Sequence, residues 1–99
     1  MIKHVVLFQL KGNLDSQTKK EVMENFKNGI LALPPYIPCI RYIEVGLNTN
    51  TKEEWDICLQ ADFESYDDLF AYSKHPEHVK VGGELRPFMA GRSCVDYEY

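Results

Sequence analysis

The chain has 99 residues, 44% of them apolar and 26% charged, which is enough for one domain with a thin core. At this length roughly 65% of the unfolded chain's surface can be buried. A net charge of −4 argues against nucleic acid or an anionic membrane as partner, and no apolar stretch approaches the roughly 18 residues a membrane-spanning helix needs.

Met1-Ile2-Lys3-His4 leads straight into a strand-like run with no signal-peptide pattern. The three cysteines, Cys39, Cys58 and Cys94, are too few and too irregularly spaced for a disulfide framework. They read as small buried apolar residues of a cytoplasmic protein. The chain shows no repeat, low-complexity segment or linker, so residues 1–99 form a single domain.

Residues 2–10 alternate as a strand, with His4, Val6, Phe8 and Leu10 on one face and Lys3, Val5, Leu7 and Gln9 on the other. Both faces are largely apolar, which predicts cover on both sides. Asp15 or Ser16 then caps a helix whose Val22, Met23, Phe26, Ile30 and Leu33 recur at helical spacing until Pro34-Pro35. Residues 40–47 and 55–63 read as a hairpin of two strands around Asn48-Thr49-Asn50-Thr51.

Ser65-Tyr66-Asp67-Asp68 opens a short helix carrying Leu69, Phe70 and Tyr72. The residue before a proline is pushed out of helical geometry, so His75-Pro76 interrupts that helix and Pro76 starts another. Gly82-Gly83 is expected to break it, residues 85–88 to add a turn, and residues 90–97 to form the last strand. The order βαββαβ predicts an α+β, ferredoxin-like fold, an antiparallel sheet with helices on one face. Its bare face would be an aggregation hazard on a monomer, which predicts a homodimer packed sheet to sheet with interior space between the sheets.

The opening residues 1–8 (Met-Ile-Lys-His-Val-Val-Leu-Phe), Ile43-Glu44-Val45-Gly46, and His75-Pro76-Glu77-His78-Val79 followed by Phe88 resemble the stress-responsive A/B barrel (Dabb) family over essentially the whole chain. The resemblance implies a dimeric α/β barrel that holds a pocket. It licenses a reaction only weakly, because fold membership does not fix chemistry. A plant polyketide cyclase of this family closes its substrate by aldol condensation, and its working Tyr and His positions match Tyr72 and His78 here. That cyclase also carries a histidine on its third strand, where this chain reads Trp55-Asp56-Ile57-Cys58, so the cyclase reaction itself is not transferred.

Tyr72, His75 and His78 form the sharpest local constellation. With Pro76 first in its helix, His75 is the N-cap and His78 the third helical residue, where the helix dipole disfavours imidazolium. A neutral His78 is a competent general base, and Tyr72 can orient a carbonyl or stabilise an oxyanion. The alternative is that His78 caps a helix end or lines a pocket without turnover. His4 either projects into the same pocket as a ligand-binding group or is a hydrogen-bonded core histidine, and His75 joins it among the candidate ligand-binding residues.

No side-chain metal site is expected, since zinc needs three or four convergent ligands and His4 lies on a distant strand. The resemblance allows a hard cation on backbone carbonyls near Leu31, Pro34 and Ile37. No cofactor is expected. The functional expectation is a homodimer binding a small hydrophobic or aromatic molecule. The alternative is a cofactor-free enzyme (aldol cyclase, isomerase or monooxygenase) with His78 as base and Tyr72 beside it.

Overall fold

A computed structural model describes residues 1–99. Strand β1 (Ile2–Leu10) leads into helix α1 (Ser16–Leu31), then strands β2 (Tyr42–Leu47) and β3 (Ile57–Phe63). Helices α2 (Tyr66–Lys74) and α3 (Pro76–Leu85) follow, and a 3-10 turn over residues 86–88 delivers the chain to strand β4 (Met89–Glu98). The strands form one sheet in the order β2-β3-β1-β4, with every neighbouring pair antiparallel. This is the ferredoxin-like arrangement that the element order implies.

Local chemistry sets the element ends. Asp15 caps α1 by accepting from the Thr18 amide at 2.7 Å, and Ser65 caps α2 by accepting from Asp68 at 3.1 Å. Each bond satisfies a backbone donor that a helix start leaves without a partner. The strands of the hairpin are shorter than the sequence suggests: Ile40, Arg41, Trp55 and Asp56 lie outside β2 and β3. Asp56 is buried and has another task. Its carboxylate accepts from the Leu10 amide at 2.7 Å and pairs with Lys19 at 2.8 Å, tying the end of β1 to the start of α1.

The core lies between the sheet and the helices. Ile2, Val6 and Leu10 of β1 meet Ile57, Leu59, Ala61 and Phe63 of β3, with Phe26, Ile30, Leu69, Tyr72 and Leu85 above them. His4 shares this face and is buried among apolar neighbours. The cysteines depart from the expectation of burial: Cys39 and Cys58 are half-buried and Cys94 is exposed on β4. They lie at the margins of the core, so small size alone did not draw them inside.

The α3 helix also departs from expectation by running unbroken through Gly82-Gly83. Two helical glycines cost about 1 kcal/mol each relative to alanine, so packing must hold the segment. Val81 supplies that packing from the α3 side. A Cβ added to Gly29 on α1 would lie 3.1 Å from a Val81 methyl, so the missing side chain at Gly29 lets the two helices close on each other. The opposite sheet face has no cover within the chain. It presents Val5, Leu7, Tyr42, Val95 and Tyr97, with Lys3 and Asp62 paired at 2.7 Å among them.

Candidate functional site

A cavity of about 170 Å³ lies between the sheet and the helices. This cavity is on the helix-covered side and within one chain, distinct from any space between two facing sheets of a dimer. Its apolar wall is built from Val6, Phe8, Phe26, Leu59, Leu85 and Met89. His4, Tyr72, Ser73, His78, Arg86 and Arg92 provide the polar groups.

Tyr72 is fully buried, and its hydroxyl has no hydrogen-bond partner. Burial pushes its pKa well above that of an ordinary phenol, opposed only by the charge of Arg92. The group is therefore a neutral O–H donor across the physiological range. Its ring packs 5.0 Å from Phe63 and 4.4 Å from the His78 imidazole, centroid to centroid.

His78 occupies the third position of α3. Its Nδ1 lies 3.1 Å from the Ser73 carbonyl, and a carbonyl only accepts, so Nδ1 carries the proton and Nε2 keeps the lone pair. Burial lowers the His78 pKa first of all; the Ser73 bond opposes it, while His4, Arg92 and His75 reinforce it. A neutral imidazole is thus favoured chiefly by desolvation.

His4 enters from β1 and stands 6.2 Å from the Tyr72 ring. Its Nδ1 donates to the Asp96 carboxylate on β4 at 2.5 Å. Asp96 faces His4 directly in the β1–β4 register. His75 caps α3 through Nδ1, accepting from the Glu77 amide at 3.1 Å, and does not line the cavity. The structure therefore gathers His4, Tyr72 and His78 at one cavity and sets His75 apart.

Cys94 joins His4 and Asp96, so that one ligand atom from each lies within 4.8 Å of the others. Two ligands of a tetrahedral ion stand about 3.3 Å apart, given metal–ligand bonds near 2.0 Å. The His4–Asp96 separation of 2.5 Å is that of a hydrogen bond instead. Burial and Asp96 raise the Cys94 pKa, and burial likewise raises those of Cys39 and Cys58, which leaves no activated thiolate. Leu31 ends α1, and of the three carbonyls considered for a cation, that of Ile37 accepts from the Ile40 amide at 3.1 Å.

Arg86, Arg92 and Asp96 escaped the sequence reading. Which way β4 side chains point depends on a slip of register between Gln9 and Leu10, where Leu10 pairs with Met89 but Gln9 with Gly91. Ala90 is the extra residue, and it turns both Met89 and Arg92 toward the helices. A strict two-residue alternation would set those two on opposite faces.

The model of the Stress Responsive A/B Barrel Domain family (Dabb) matches residues 2–99. The chain belongs to this family. Among proteins similar to this Dabb chain, olivetolic acid cyclase of Cannabis sativa is 25% identical over 99 residues, which cover 97% of this chain and 94% of the cyclase. The stress-response A/B barrel domain-containing protein DABB1 of Arabidopsis thaliana is 29% identical over 97 residues, or 98% of this chain, although the chain spans only 46% of that protein. A crystal structure of a dimeric protein of unknown function from Bacteroides fragilis, with a ferredoxin-like fold, superposes with a TM-score of 0.97 at 47% identity. That match covers 99% of this chain and 95% of the other.

Proposed function

We propose that this Dabb chain forms a homodimer through its bare sheet face and binds a small hydrophobic or aromatic molecule in the cavity beneath its helices. The Tyr72 hydroxyl carries the ligand reading. A buried hydroxyl without a partner costs about 1–3 kcal/mol, and a group in the cavity that accepts a hydrogen bond from it removes that cost. The volume limits the guest, since an engineered apolar cavity of about 150 Å³ accommodates benzene. One ring with a short substituent is the size class. The homodimer reading is supported by the uncovered Val95 and Tyr97 on β4 and by the dimeric Bacteroides fragilis relative.

Titration with 4-methylphenol, followed by amide chemical shifts, tests the ligand reading. Shifts concentrated at Phe26, Leu59, Tyr72 and Gly82 are the expected result. Shifts confined to the bare sheet face, or none at millimolar probe, overturn it.

The Nδ1 bond of His78 favours a second reading, cofactor-free catalysis on an activated carbon acid. His78 Nε2 would take the proton and the Tyr72 hydroxyl would hold the developing enolate oxygen. Aldol-type cyclisation, isomerisation and oxygenation all begin with such a step, and a cyclase stands among the similar proteins. Deuterium exchange into acetylacetone tests it. Exchange about 100-fold faster than with the His78→Gln variant supports a positioned base, and equal rates remove the reading.

A further inference from the structure

The wall of the cavity holds two arginines and two histidines and no carboxylate. The chain as a whole has 15 acidic residues against 11 lysines and arginines, so two arginines in this lining run against the overall charge, with the Asp96 carboxylate the nearest acid named, behind His4. Of the three arginines in the chain, Arg41 is paired with Glu64 at 3.0 Å. None of the ion pairs takes up Arg86 or Arg92.

The two arginines reach the cavity from different elements. Arg86 opens the turn after α3, and Arg92 sits on β4 opposite Phe8 of β1. Both residues are solvent-exposed while lining the cavity, so they form its rim, and the apolar wall lies deeper. The charge of Arg92 is felt at Tyr72 and at His78, which places it beside the groups that would meet a ligand.

We propose that the cavity takes a small carboxylate, its anionic end held at the rim by Arg92 with Arg86 and its ring-sized apolar body against Phe26 and Leu59. This rests on the small-molecule reading above and narrows it to a chemical class. The planar guanidinium fork matches the two oxygens of a carboxylate, and charge-assisted pairs of this kind are roughly twice as strong as neutral hydrogen bonds. At the rim the anion keeps part of its hydration, so binding avoids the cost of burying a charge in an apolar interior. A neutral polar end would meet the same arginines without that charge assistance.

Benzoate and benzamide have nearly the same shape and differ in charge, which suits them to the test. Each is titrated into the wild-type protein and the Arg86→Gln/Arg92→Gln double variant, with affinities read from amide shifts at low salt. The wild type should bind benzoate about tenfold more tightly than benzamide. The double variant should lose that preference, its benzoate affinity falling about tenfold further than its benzamide affinity. Equal binding of the two probes at the cavity, or a benzoate preference that survives in the double variant, overturns the carboxylate proposal and leaves the small-molecule reading standing. Failure of both probes to bind overturns both.

Discussion

A hydroxyl that is buried and unpaired, as at Tyr72, is a standing cost in the empty protein and a ready donor once a ligand arrives. Replacement of Tyr72 by Phe separates these two effects. We expect Tyr72→Phe to raise unfolding stability by about 1 kcal/mol, because the unsatisfied group is removed at constant shape, and to weaken 4-methylphenol binding. Denaturant melts and the same titration measure both. A large loss of stability instead would mean that the hydroxyl is already satisfied in solution. His78 makes a prediction about pH. Its folded pKa is depressed, chiefly by burial, so its stabilising contribution is complete above the unfolded value of about 6.5 and is lost as pH falls through the lower folded value. His78→Gln should flatten the stability profile in that window, and an unchanged profile would contradict the burial of a neutral imidazole. His75 and His78 could be placed in advance because proline fixes where α3 begins, whereas Tyr72, on the helix before, was matched to His78 through the family resemblance. His4 was visible only as a polar residue on an apolar face. Its partner Asp96 lies 92 positions away and is joined to it by strand register, which local pattern does not encode.

Among the elements, the contact between α1 and α3 places His78 and Gly82 over the cavity. That contact depends on Gly29, where a Cβ would crowd Val81 at 3.1 Å. Gly29→Ala should be nearly neutral, as the gain in helix propensity of about 1 kcal/mol offsets a small displacement. Gly29→Val adds bulk toward Val81 and should cost about 2 kcal/mol as overpacking, recovered in part by a second change, Val81→Ala. Thermal melts of the three variants check this, and a Gly29→Val protein as stable as wild type would show that the helices do not pack as described. The same contact explains why Gly82-Gly83 misleads as a break signal. Propensity is a weak local prior, and the packing of α3 against α2 and against Gly29 of α1 outweighs it. The slip of register at Ala90 is the other element-scale feature that sequence periodicity does not reveal. Alternation along β4 predicts a strand correctly but assigns Met89 and Arg92 to opposite faces.

At the scale of the whole molecule, the two faces of the sheet differ. The helix-covered face holds the cavity, and the other is bare within the chain, with Val95 at 62% exposure. The order of the elements is enough to foresee one covered and one bare face. Which face holds the cavity is not, because the apolar content of β1 is similar on both. An aspartate at Val95 would face a low-dielectric contact in a dimer, so Val95→Asp should shift the protein from a mass of twice 11.5 kDa toward the monomer in sedimentation. A variant that remains dimeric would place the subunit contact elsewhere. The proposed ligand binding belongs to the other face, and a crystal structure of the protein grown with 4-methylphenol tests it most directly. The account predicts the ring between Phe26 and Leu59, with its oxygen on the Tyr72 hydroxyl. A cavity closed by side chains, or a guest bound only on the bare face of the sheet, would contradict it.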